Sequence, residues 1–322
     1  MTKKHIHWLL PGKYNDLKSV KYSSLASIRL RAYVSSLNTK FFTFSFGEDM
    51  PLNTNILVIG KIGNFNLEKR SLNWLNQIKI AKYSNSKVII DYTDNHLMIN
   101  SPMTNFYRAT LPFITLAVTP SEKMSSTFSN FWKGPVHTIY DSIDVDILEW
   151  KAFKSRKLLW FGHGTNIPYL LNFLNKNYSL IESYSLHIIT NQNGIDYFNN
   201  RNKTTIQSKA KLWSTNVLIN EAKLCDMCII PSDKDNVQKQ GAGHNRLITS
   251  LALGLPTIAT MLPSYAKFKD YFIDIDSKEV SDVIKNPNII KNKVVSAQKN
   301  VVPLFNKFNL SREWLKVFNN NF

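Results

Sequence analysis

Residues 226–265 read DMCIIPSDKDNVQKQGAGHNRLITSLALGLPTIATMLPSY, and the fold is decided here. An apolar run, 227–230, stops at Pro231-Ser232, and a polar loop containing Gly241 and Gly243 follows. Asn245-Arg246 opens an amphipathic segment that ends at Gly254-Leu255-Pro256, before a second apolar run over 257–261. The pattern predicts strand, loop, helix, strand. A helix amino terminus carries unpaired N–H groups and partial positive charge, so it suits a phosphate. In open α/β sheets ligands bind at the carboxyl edge of the strands, where this loop falls.

Outward from this block, short apolar runs alternate with helical patterns. Residues 5–11 (HIHWLLP), 41–46 (FFTFSF), 55–61 (NILVIGK), 87–91 (KVIID), 116–120 (LAVTP) and 136–140 (VHTIY) read as strands. Apolar spacing predicts helices over 19–37, 67–81 and 121–132. The pattern breaks over 141–155 and restarts with the strand 157–161 (KLLWF), a GHGTN loop at 162–166, a helix over 167–175 and a strand over 185–190. A helix near 211–223 leads into the opening block. Beyond Phe272 the chain is mostly helical, with apolar faces at 282–284 and 294–305, and Ser311 reads as the cap of a last helix bearing Trp314, Leu315 and Phe318. Strands alternating with helices predict parallel sheets covered on both faces. The restart places a domain boundary near residue 150, and neither repeats nor heptads occur.

With 322 residues, 43% hydrophobic and 20% charged, the composition is that of a globular protein of one or two domains. No apolar stretch approaches the ~20 residues that span a bilayer. The basic start at 1–4 is followed by too short an apolar run for a signal-peptide core, so a cytoplasmic location is expected. Cys225 and Cys228 have C-x-x-C spacing without a second pair and read as buried structural thiols. The net charge of +17 admits nucleic acid as a partner, yet neither zinc-finger spacing nor an RNP aromatic motif is present. An anionic membrane leaflet or phosphorylated substrates fit the charge as well, and a compositional bias toward Lys, Asn and Ile is the bland alternative.

Four loops fall at expected strand ends. After Pro11-Gly12, the hydroxyls of Ser24 and Ser27 and the guanidinium groups of Arg29 and Arg31 could meet a phosphate or an acceptor, or pair with nearby acids. Asp94 and His96 follow the strand that ends in Asp91 and could supply a general base, with Asp91 orienting its neighbours. In Gly162-His163-Gly164-Thr165-Asn166 the glycines allow close backbone approach, and Thr165 or Asn166 could donate to phosphate or cap the next helix. No third glycine completes a dinucleotide fingerprint, and no Walker A lysine motif occurs. The last loop brings Pro231, Ser232, Lys239, Gly243, His244, Asn245 and Arg246 toward a phosphate or ribose.

Together these residues resemble GT-B glycosyltransferases, specifically the group 1 family. The resemblance rests on Ser27-x-Arg29-x-Arg31, the glycine-flanked start of the second half, Trp213 ahead of a helix, DMCIIP at 226–231, and Asn245-Arg246-Leu247 through Gly254-Leu255-Pro256. It implies two Rossmann-like domains facing across a cleft: an acceptor domain over 1–150 and a nucleotide-sugar domain over 151–305. A C-terminal helix over 306–322 would cross back to the first. It further implies a sugar-nucleotide donor held by Gly162–Asn166 and by Pro231 to Thr249, with its diphosphate near His244–Arg246. The acceptor, a glycan or lipid-linked molecule of surface polysaccharide synthesis, would pass Ser27, Arg29, Arg31, Asp94 and His96. Neither cofactor nor metal is expected, because no clustered acidic ligand pair stands out. Where the family carries a pair of glutamates this chain has Gly241 and Thr249, so Thr249 or Asn245 would have to grip the ribose. A sugar-nucleotide-binding protein without turnover and a basic nucleic-acid-binding α/β protein are the alternatives.

Overall fold

The computed structural model describes residues 3–152 and 155–319; Met1-Thr2 of the basic start and residues 320–322 of the expected last helix lie outside these. The chain divides into two compact units. One comprises residues 1–142, 240–243 and 305–322, and the other 143–239 and 244–304.

The first run of elements is β1 (Lys4–Leu9), β2 (Lys13–Tyr14), α1 (Leu17–Lys21), a π-helical turn (Ile28–Ala32), α2 (Tyr33–Ser35), β3 (Phe42–Gly47), β4 (Ile56–Ile59), α3 (Leu67–Tyr83), β5 (Lys87–Asp91), α4 (Thr104–Thr110), β6 (Leu116–Thr119), α5 (Glu122–Phe128) and β7 (Val136–Thr138). Their sheet has the order β2-β3-β1-β4-β5-β6-β7. Only β2 is antiparallel to its neighbour. The central strands β4, β5 and β6 are near-continuous apolar runs because both faces are covered. Ile6, Trp8, Ile56 and Val58 serve one core. Leu9, Leu57, Ile59 and Val88 serve the other.

The second run is β8 (Lys157–Phe161), α6 (Ile167–Lys176), α7 (Tyr178–Ile181), β9 (Ser185–Thr190), α8 (Gln192–Arg201), β10 (Ser208–Leu212), α9 (Thr215–Ala222), β11 (Met227–Ile230), α10 (Val237–Gln240), α11 (Asn245–Ala252), β12 (Thr257–Ala259), β13 (Ile273–Asp274), α12 (Val280–Lys285), α13 (Lys291–Asn300) and α14 (Lys307–Asn319). The sheet order is β10-β9-β8-β11-β12-β13, all parallel. The order reverses direction between β8 and β11, the topological switch point where such sheets take ligands. Cys225 and Cys228 are fully buried free thiols, and burial pushes Cys228 up to about 12.

The last helix returns to the first unit. Trp314 meets Trp8 edge-on at 5.3 Å, Phe318 meets Phe42 at 5.6 Å, and Asn38 Nδ2 donates to the Ser311 carbonyl at 2.8 Å. Ser311 is not its cap: the helix begins at Lys307, and the Asn306 side chain accepts from Phe308 N at 2.8 Å.

Two further expectations need correction. The single helix over 19–37 is broken into α1, the π-helical turn and α2. Asp16 caps α1, serines interrupt the next stretch, and the wider π turn re-aims Arg31 into the interior. The helix near 211–223 begins as the edge strand β10, whose Lys209 and Lys211 lie 3.5 and 2.5 Å from the buried carboxylate of Glu221 on α9. Lysine-rich edge strands carry little apolar signal, which hid this one.

Candidate functional site

In the second unit the strand end after β8 and the start of α11 meet at the switch point. Arg246 donates from Nε to the Phe161 carbonyl at 2.8 Å, and its guanidinium lies 5.3 Å from the Trp160 ring centre. Its Nη2 is buried and makes no hydrogen bond, and no carboxylate among the described residues lies within ion-pair distance. Burial lowers the pKa of this guanidinium, although it stays charged at neutral pH. The side chain can lie here because residue 162 is glycine: an added Cβ would stand 3.1 Å from the Arg246 Cζ. The residue as a whole is half-buried, and its one buried, unused donor is costly to leave without an acceptor.

The neighbouring loop is fixed by backbone contact. A Cβ on Gly164 would be 2.7 Å from Gly194 Cα, so the loop presses directly on α8. Asn191 Oδ1 accepts from Gly164 N at 2.8 Å, and His163 Nδ1 accepts from Thr165 N at 3.3 Å. Lys239 Nζ donates to Asn166 Oδ1 at 2.8 Å. Asn191 and Gly194 escaped the sequence reading; a glycine inside a helical pattern was the available signal.

At the head of α11 the first intrahelical bond runs from Ile248 N to His244 O, so the N–H groups of Asn245 and Leu247 have no intrahelical acceptor. Arg246 N donates instead to Asn245 Oδ1 at 2.8 Å. His244 stands apart from this opening: its ring is fully buried against Phe268, with Nε2 donating to the Ser264 carbonyl at 2.7 Å. The expected phosphate contact therefore does not come from the His244 ring. Thr249 is buried one turn further along α11. Pro231 and Ser232 line a separate surface cavity of about 330 Å³ with Tyr169, Lys176, Thr260 and Asp276, to which neither Gly162 nor Arg246 contributes.

In the first unit Arg31 is sealed off. It donates from Nε and Nη2 to Asp91, the shortest distance being 2.6 Å, and from Nη1 to Asp141 Oδ1 at 3.0 Å and the Ile139 carbonyl at 2.7 Å. Burial alone would lower its pKa, but the two carboxylates outweigh this and raise it. Arg31 is fully buried, so the expected acceptor contact is replaced by a structural ion pair. Arg29 turns back on the Ser23 carbonyl at 2.8 Å, and Ser27 is half-buried at the start of the π turn.

Asp94 keeps an open side chain, 40% exposed, paired with Lys61 at 2.7 Å. Burial tends to raise its pKa, but Lys61 and His96 more than offset this, and the net shift is downward. His96 is packed behind it: the ring stacks on Tyr107 at 5.2 Å, and Nδ1 is 3.0 Å from Ser101 Oγ. Burial lowers the His96 pKa, so the ring is neutral at pH 7.

The loop residues assigned to this unit pack closely on it. Gly241 O accepts from Ser121 Oγ at 2.9 Å, and a Cβ at Gly241 would stand 2.9 Å from the terminal methyl of Met124, so a larger residue there requires that side chain to move. A Cβ on Gly243 would fall 2.3 Å from Asp141 Oδ2.

No protein-family model matches this chain, and no curated protein matches it in sequence. Solved structures do match. An alpha-glucosyltransferase in complex with UDP-glucose and DNA containing an abasic site superimposes with a TM-score of 0.66 at 8% identity, covering 98% of this chain and 99% of that one. HepE from Anabaena in complex with UDP gives a TM-score of 0.62 at 11% identity, covering 98% and 100%. TarM gives a TM-score of 0.57 at 13% identity; the match covers 82% of this chain but only 54% of TarM. These structures are GT-B glycosyltransferases. Two Rossmann-like units, a switch-point site in the second and a last helix returned to the first give this chain the GT-B fold.

Proposed function

We propose that this protein is a glycosyltransferase that takes a sugar from a nucleoside-diphosphate donor and passes it to a glycan or lipid-linked acceptor in surface polysaccharide synthesis. It would work on the cytoplasmic side, peripherally at the membrane. The observation that carries this reading is Arg246: a charged guanidinium with an unused buried donor, beside Gly162 and the head of α11. The donor diphosphate would compensate it. Neighbours of the same fold bound to UDP or UDP-glucose support the choice of donor.

In the transfer, the bond from the anomeric carbon to the diphosphate oxygen breaks, and one from the acceptor oxygen to that carbon forms. Arg246 would stabilise the charge left on the diphosphate, as preorganised electrostatics requires. Asp94, ionised at neutral pH, would accept the hydrogen bond and then the proton of the acceptor hydroxyl. His96 would position Asp94 from behind. Arg246 and the free N–H groups at the head of α11 would hold the diphosphate through cationic and backbone donors. Asn245 or Thr249 would hold the ribose in place of a carboxylate.

A second reading concerns the acceptor alone. The net charge of +17 and the neighbour bound to DNA favour a nucleic acid in that place. Incubation with labelled UDP-sugars and, in parallel, membrane glycolipid extracts and hydroxymethyl-containing duplex DNA tests both. Label in the lipid fraction supports the first reading, and label in the DNA the second. Donor binding without transfer or hydrolysis would instead identify a binding protein that has lost turnover.

A further inference from the structure

The long helix α3 turns Trp74, Ile78 and Ala81 into the core and leaves a second apolar stripe that the core does not use. Leu72, Ile80 and Tyr83 are 63, 52 and 79% exposed, and Phe65, just before the helix, is 78% exposed. At 3.6 residues per turn the three helical positions fall within an arc of about 80°; exposed Lys69 lies within it and exposed Lys79 extends it to about 100°. The loop after β3 is tied to the flank of this helix. Gln77 Nε2 donates to the Glu48 carbonyl at 2.8 Å, Met50 N donates to Gln77 Oε1 at 2.5 Å, and the loop so held carries Leu52, 99% exposed. Across Leu67–Tyr83 there are four basic residues (Lys69, Arg70, Lys79, Lys82) and one acid, Glu68. Arg70 is occupied by Glu48, and Asp49 is the other exposed carboxylate nearby.

We infer that this face of α3 docks the protein on an anionic bilayer surface, with Leu72, Ile80 and Tyr83 entering the headgroup boundary and Lys69 and Lys79 meeting lipid phosphates. An apolar stripe interleaved with lysines satisfies both demands of that interface. A nucleic acid would leave the leucine and isoleucine without partners. Among the described residues no helix is long and apolar enough to cross a membrane, so attachment by this face is in-plane. The inference stands independently of the donor site.

Flotation with phosphatidylcholine vesicles, with and without phosphatidylglycerol, tests it on the full chain. The protein is expected to float with the anionic vesicles and to be released by salt. The double variant Leu72→Ser/Ile80→Ser should lose on the order of tenfold in partitioning, as should Lys69→Gln/Lys79→Gln. Both variants alter exposed positions, so their melting temperatures and their stabilisation by UDP should match the parent. Failure of the parent to float, flotation of the variants at parental level, or loss of duplex DNA binding in the lysine variant would each overturn the inference.

Discussion

Arg31 and Arg246 carry the same side chain in opposite surroundings. Arg31 has two carboxylates within 3.0 Å, whereas Arg246 has a carbonyl, two aromatic rings and a buried nitrogen without an acceptor. The first arrangement is complete; the second leaves a donor that the proposed diphosphate would fill. Sequence pattern placed both arginines near strand ends but could not tell which faced an acid, because Asp91 and Asp141 lie 60 and 110 residues away from Arg31 along the chain. A second residue has a consequence for stability. His7 on β1 is buried beside His5 and Ser45, and burial above all, then the neighbouring His5, holds its pKa down at about 4, against smaller upward contributions from the Gly47 backbone and Asp49. The unfolded chain therefore binds more protons than the folded one between about pH 6.5 and 4, and stability falls as pH drops through that window. The loss should approach about 3 kcal/mol from this group. Denaturant titrations at several pH values should show the slope, and His7→Gln should flatten it.

At the scale of elements, α14 is fastened by aromatic packing. Trp314 is buried against Trp8, with the Arg31 guanidinium 5.6 Å from its ring centre. Trp314→Ala should cost about 3–5 kcal/mol, read as a lowered denaturant midpoint. Apolar periodicity made α14, α3 and the core strands legible, since Trp314 and Phe318 or Ile56 and Val58 recur at the spacing of their element. It did not disclose β10, where lysines alternate on an edge, or the break between α1 and α2, where the Asp16 cap and the serines end the first helix.

For the whole molecule, two parallel sheets of related plan make separate contributions. In the first, Asp94 stays open beside Lys61 at a strand end. In the second, Gly162 and Arg246 stand where the strand order reverses. The strand–loop–helix block at 226–265 made the second sheet's ligand edge legible, because its turn residues and apolar runs are local signals. Burial of the His244 ring and the close contact at Gly241 were not legible, since Phe268 and Met124 supply them from other segments. Whether Arg246 binds the donor diphosphate is decided by calorimetric titration of UDP into the parent and into Arg246→Ala. Saturable binding by the parent and a loss of about 10- to 100-fold in the variant are expected, as removal of a charge-assisted bond entails, with the fold retained. Equal affinity in the two proteins would rule out that role for Arg246.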